Sequence, residues 1–142
     1  MYTILLETHS ILRYVILLFV MVVIVKNMIG WINRSEFLKF DNILSSVTVS
    51  TIHLQLLLGL VLYFVSPLVS FQEGVMKNDA MRYYTVEHLL LMAIAIALFT
   101  IGRVKIKKKD NPVIKHRTGF IYNLSGLLII VITLALGSRG II

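Results

Sequence analysis

Few side chains in this sequence can do chemistry, and most of them are embedded in long apolar runs. They are His9 and Arg13, His53 and Gln55, Glu87 and His88 with Met92 a turn later, then Tyr122 and Asn123. A fourth histidine, His116, stands between Lys115 and Arg117. Neutral imidazole is a good ligand for haem iron, and amides, hydroxyls and guanidinium groups can hold the polar parts of a bound group. Other chemistries are excluded by what is missing. The chain has no cysteine, which rules out disulfides, thiolate metal sites, iron–sulfur clusters and covalent c-type haem attachment. It also lacks a His-Glu-x-x-His pair, a Walker loop, a Gly-x-Ser-x-Gly turn and a paired-carboxylate site, so no enzyme signature is present.

The elements carrying these residues are legible from composition. Of the 142 residues 58% are hydrophobic, against roughly 45–50% in ordinary soluble domains, and the mean hydropathy is +0.88. A chain this short cannot bury so much apolar surface by itself. Lipid resolves the difficulty. A helix needs about 20 apolar residues to cross a bilayer, and four runs qualify, at about 5–29, 42–66, 85–103 and 113–137. Asp41-Asn42 is the expected N-cap pair of the second, Ser66-Pro67 its stop, and Pro112 a first-turn residue for the fourth. No run alternates with the period of two that a barrel strand requires. The expected fold is an all-α integral membrane four-helix bundle, up-down-up-down, in one domain covering residues 1–142. No basic region precedes the first run and no small-x-small site follows it, so that helix is expected to be retained.

Charge sets the expected orientation. The net charge is +7, and seven of the fourteen Lys and Arg residues lie between Arg103 and Arg117. The first loop adds Lys26, Arg34 and Lys39, whereas the middle loop balances Lys77 and Arg82 with Glu73 and Asp79. Positive loops stay in the cytoplasm, which puts both termini outside. Trp31, Tyr63, Tyr83 and Tyr84 fall near the expected interfaces. The basic cluster has no interleaved aromatic module, so it reads as a topology signal and a lipid-headgroup contact, not as a nucleic-acid surface.

Ionisable residues within membrane spans are rare and face the bundle interior. His9 and His88 each lie about 5–6 Å below the outer ends of helices 1 and 3, at about 1.5 Å per residue. These helices are diagonal in an up-down bundle, so the two imidazoles can clamp one iron between them. Arg13, a turn below His9, is placed to pair with a haem propionate or with Glu87. Met92 offers a soft contact or an alternative axial ligand. Ala93, Ala95 and Ala97 are slim enough to admit a flat macrocycle. On helix 2, Thr48, Thr51, Gln55 and Gly59 share a stripe, and Tyr122, Gly126, Thr133 and Gly137 form a small, polar one on helix 4. The same features also suit plain helix packing, with His9 and His88 bonded to each other, to Glu7, to Glu87 or to water. His53, near mid-membrane with Ser46 and Ser50 on its face, suits a second haem, a quinone headgroup, a proton relay or a satisfied buried histidine. His116 is expected at a wet interface.

Leu6-x-x-His9-x-x-Leu12-Arg13, His53-Leu54-Gln55-Leu56-Leu57-x-Gly59 with Tyr63 and Ser66-Pro67, Glu87-His88 with Met92, and Lys115-His116 together resemble a family. It is a family of small, largely uncharacterised bacterial four-helix membrane proteins of cytochrome b-like type, and the resemblance covers most of the chain. It departs at 137–142, Gly-Ser-Arg-Gly-Ile-Ile, where the family pattern suggests a Pro-Trp pair. The resemblance implies a multi-pass protein of the bacterial inner membrane, with His9, His53 and His88 as characteristic polar positions. The expected function is a membrane cytochrome b-like electron carrier binding haem b, with His9 and His88 as metal ligands. The expected cofactor-binding set adds Arg13, His53, Gln55, Gly59, Glu87 and Met92, with quinone as a second candidate ligand. Its partners are then the bilayer and a larger membrane redox complex or further copies of itself. The alternatives are a cofactor-free accessory or assembly subunit with structural histidines, and a small proton or metal-ion conductor.

Overall fold

The computed structural model describes residues 2–66, 77–78 and 82–137. The expected stop at Pro67, the acidic Glu73 and Asp79 of the middle loop, the side chain of Tyr84 and the tail 138–142 lie outside the described residues. Four helices carry the chain: α1 (Tyr2–Asn33), α2 (Lys39–Val65), α3 (His88–Lys108) and α4 (Pro112–Gly137). All four are long and apolar enough to cross a membrane. Among the described residues there is no strand.

The helices outrun the apolar stretches that announce them, because backbone hydrogen bonding continues after the side chains turn polar. α1 begins at Tyr2 and extends to Asn33, and α3 runs to Lys108 with Lys105, Lys107 and Lys108 in its last turn. Cations there oppose the negative end of the helix dipole. α1 ends at Arg34, which takes a left-handed φ of 53° while Ser35 N–H donates to Gly30 O at 2.9 Å.

The start of α2 differs from the Asp41-Asn42 cap expected from the sequence. Leu38 is the N-cap, and Asp41 is the third helical residue, whose carboxylate accepts the Leu38 N–H at 3.0 Å. An acidic group in that position satisfies an orphan donor and favours the positive helix end, so it acts one turn later than a capping residue would. α4 begins at Pro112. Asn111 caps it, its Oδ1 accepting from Val113 N at 2.9 Å and Ile114 N at 3.3 Å.

α1 packs on α2 and α4, while α3 packs closely on α4 and less extensively on α2. The core is formed by Ile16, Val20 and Ile24 of α1, Ile52 of α2, and Ala95 and Phe99 of α3, with Phe120, Leu124 and Leu127 of α4 against it. α3 and α4 approach closely because Gly126 lies flat against Phe99. A Cβ there would come within 2.6 Å of the ring's Cζ.

Candidate functional site

One short departure from α-helical winding shapes the site. Tyr83–Glu87 is a π-helical segment that feeds directly into α3, and the N–H of His88 donates to the carbonyl of Tyr83, five residues back. An α-helix would leave residues 83 and 88 well apart around the axis, whereas the wider turn stacks one over the other. The Tyr83 and His88 rings accordingly lie 5.7 Å apart at 65°. Tyr83 is completely buried, and its hydroxyl donates to the Thr133 carbonyl of α4 at 3.0 Å. From the other side, the Tyr63 hydroxyl of α2 donates to the Thr85 carbonyl at 3.0 Å. The π segment is therefore held by two helices, and it presents His88 to the bundle interior.

His9 arrives from α1. Its ring centroid lies 6.3 Å from that of His88, with 58° between the planes. Gln55 fixes the local backbone by donating its amide N–H to the His9 carbonyl at 2.8 Å. Gly59, one turn along α2, leaves room for the ring, since a Cβ there would stand 3.3 Å from His9 Cε1. Among the described residues, two buried polar atoms at this place have no hydrogen-bond partner, His9 Nδ1 and Gln55 Oε1. Buried polar groups are nearly always satisfied, by protein, water or an ion, so the pair makes this the candidate site.

The donor set narrows what that is. Two imidazoles bonded at about 2.0–2.1 Å on opposite sides of one metal would place their ring centroids about 6–6.5 Å apart. The observed separation matches that value and is also an ordinary ring-contact distance. Among the described residues no three His, Cys, Asp or Glu side chains converge into a metal-binding group. A bare zinc ion wants four protein ligands or three with water. A haem iron, largely coordinated by its own macrocycle, would need only two side chains such as these imidazoles.

The remaining candidates are distributed around this pair. Glu87 receives Arg82 Nε at 2.8 Å, so the ion pair considered for Arg13 is formed by a different cation. Arg13 is half-buried and donates to the hydroxyl of its neighbour Tyr14 at 3.1 Å, with its guanidinium 4.8 Å from that ring's centre. Met92 is half-buried. His53 is not part of the cluster. It is exposed on α2, and its Nε2 lies 2.9 Å from Thr100 Oγ1, a residue twelve positions beyond His88 on α3.

His116 departs from the wet interface expected for it, being only 2% exposed. Its Nε2 lies 3.1 Å from the Glu36 carbonyl oxygen and its Nδ1 3.2 Å from Asn27 Oδ1; both neighbours are acceptors, so a neutral ring donates to one of the two. Gly30 makes this possible, because a Cβ there would lie 2.5 Å from the imidazole. The ring ties α4 to the end of α1 and to the loop before α2, beneath a cleft of about 270 Å³ lined also by Lys26 and Asp41. Those two form an ion pair at 3.2 Å.

Sequence reasoning overlooked Tyr83 and Thr85 as site residues, having read Tyr83 only as an interfacial ring. No pattern in the residue types announces a π turn. It also overlooked Asn27, whose signal was present: an amide inside an apolar run needs a partner. No protein-family model, curated protein or solved structure matches this chain.

Proposed function

We propose that this protein is a small membrane cytochrome of b type, in which His9 and His88 hold one haem between α1 and α3 for electron transfer. The observation that carries this reading is the approach of two imidazole rings to 6.3 Å, tilted at 58°, one of them with a buried nitrogen that has no partner among the described residues. Bound haem supplies a one-electron ferric–ferrous couple. The chain's own residues hold and orient it. His9 and His88 would hold the iron, Gln55 pins the α1 backbone at His9, and Tyr83 braces the His88 ring against α4. Gly59 keeps the His9 side slim. Arg13, a turn deeper on α1, is the cation available to a propionate.

The bundle runs up-down-up-down in the bacterial inner membrane, with both termini on the periplasmic side. Consecutive helix ends support that path. Lys26 near the end of α1 pairs with Asp41 at the start of α2, and Tyr2 at the start of α1 lies 3.5 Å from Ser66 beyond the end of α2. The basic loops then share the cytoplasmic face.

An absorption spectrum tests the reading. Purified protein is expected to show a Soret band and, when reduced, the sharp α-band of six-coordinate b haem. His9→Ala and His88→Ala are each expected to lose that band or shift to a high-spin spectrum while the protein still inserts. A colourless protein, or unchanged spectra in both variants, would return the histidines to the structural role of an accessory subunit.

A further inference from the structure

The His53 hydrogen bond contains more information than its length. Thr100 Oγ1 donates its own proton to the Ile96 carbonyl at 2.7 Å. The hydroxyl oxygen can therefore only accept from His53 at 2.9 Å, which places the imidazole proton on Nε2. Nδ1 is left with its lone pair. An imidazolium facing hydrocarbon would be costly, so this nitrogen is an acceptor in search of a donor.

Nothing within the described chain supplies one. His53 is on the outward side of α2, the least covered of the four helices, with 17% of its apolar window buried against 33%, 22% and 22% in the others. It stands twelve residues from Asp41, about 18 Å along the helix. That is deep inside a hydrocarbon core of about 30 Å. Water and lipid headgroups do not reach this depth, so the donor must come from protein.

The same face carries matching donors. Ser46, Ser50 and His53 are spaced by four and three residues, one side of a helix. Ser50 lies exposed at the middle of the outward arc. Thr48 and Thr51 of α2 return their hydroxyls to the carbonyls of Leu44 and Val47, each at 2.7 Å, and Ser46 and Ser50 form no such bond. An unpaired donor and an unpaired acceptor one turn apart make a surface complementary to itself, and Ser46-x-x-x-Ser50 lets two backbones approach closely.

We infer that α2 is the interface of a parallel homodimer, in which the Ser50 hydroxyl of each copy donates to His53 Nδ1 of the other. Two copies with the same orientation in a membrane are related by a two-fold axis along its normal, so residues near the axis meet their own counterparts. The offset of three residues, about 4.5 Å, is within reach of an imidazole. The inference rests on the membrane placement proposed above and is independent of haem.

The absence of native cysteine makes the test direct. Ser50→Cys is introduced alone, membranes are oxidised with copper phenanthroline, and the products are separated without reductant. Leu18→Cys serves as a control, at a position on α1 that is 62% exposed and at comparable depth. Disulfide-linked dimer is expected to dominate for Ser50→Cys and to be scarce for Leu18→Cys. In Leu57→Cys, a position 60% exposed and two turns beyond Ser50 on the same face, where the serine is retained, adding His53→Leu is expected to lower the cross-linked fraction about three- to tenfold, in keeping with interhelical hydrogen bonds in membranes. Resistance to carbonate extraction is read from the same membranes. Protein that is retained but monomeric, equal cross-linking at both positions, or cross-linking indifferent to His53→Leu would overturn the dimer while leaving the membrane placement standing. Release by carbonate would overturn both.

Discussion

Arg13 is the residue whose chemistry is most exposed to test. Glu87 is engaged by Arg82, and among the described residues Arg13 meets the neutral Tyr14 hydroxyl and ring. A cation in an apolar span, partnered by no carboxylate, is suited to a propionate. Arg13→Gln is therefore expected to weaken haem retention and to lower the midpoint potential, since removing a nearby positive charge favours the more positive ferric iron. Redox titration of the haem-loaded variant checks this, and an unchanged potential would detach Arg13 from the site. Tyr83 is a positioning residue. Tyr83→Phe keeps the ring against His88 and deletes the bond to Thr133 O, which is expected to cost about 1 kcal/mol of stability. The low-spin spectrum should survive that change, whereas Tyr83→Ala, which removes the brace, should broaden or lose it.

At the scale of elements, the ends of the helices show where local chemistry acts alone. Asn111 caps two N–H groups of α4 while Pro112 occupies the first helical position. Asn111→Ala is expected to destabilise the protein by about 1 kcal/mol in a denaturant titration in mixed micelles, with no effect on the haem spectrum, because the cap is at the end of the bundle remote from His9. The π segment is the converse case. Its i+5 bond from His88 to Tyr83 is tolerated because Tyr63 and Tyr83 tie it to α2 and α4. A wide turn has poorer intrinsic stability, and side-chain bonds from neighbouring helices compensate. The segment and the histidine it aims are thus properties of three helices together.

For the whole molecule, the proposed orientation decides which side of the membrane a haem at His9 and His88 would face. Seven basic residues between Arg103 and Arg117 favour the cytoplasm for that loop, which would put His9 and His88 toward the periplasmic side. Lys108→Cys is expected to be shielded from a membrane-impermeant thiol reagent in intact cells, and Asn78→Cys to label. The reverse pattern would turn the bundle over and move the haem to the cytoplasmic side. The two ends of the molecule also differ in character. At the His116 end, both nitrogens of a buried imidazole have an oxygen at hydrogen-bond distance. At the His9 end, Nδ1 has no partner among the described residues.

Four apolar runs of sufficient length determined four helices, because every backbone polar group in lipid must be satisfied within its own segment. That His9 and His88 stand at one level on α1 and α3 was equally legible, since rise per residue is constant, and their rings lie 6.3 Å apart. Pro112 at the start of α4 was readable for the same local reason. What depended on packing was not. His116 reads as solvated between Lys115 and Arg117, and only the flatness of Gly30 and the reach of Asn27 draw it inside. Arg82, not Arg13, neutralises Glu87, a choice between two cations that sequence spacing leaves open. The tautomer of His53 depends on where Thr100 sends its proton, and the orientation of His88 depends on a π turn held by Tyr63 and Tyr83. Local rules act along one chain and leave their mark in residue order. Partner choice is settled in three dimensions, where side chains distant in sequence compete for the same few polar atoms.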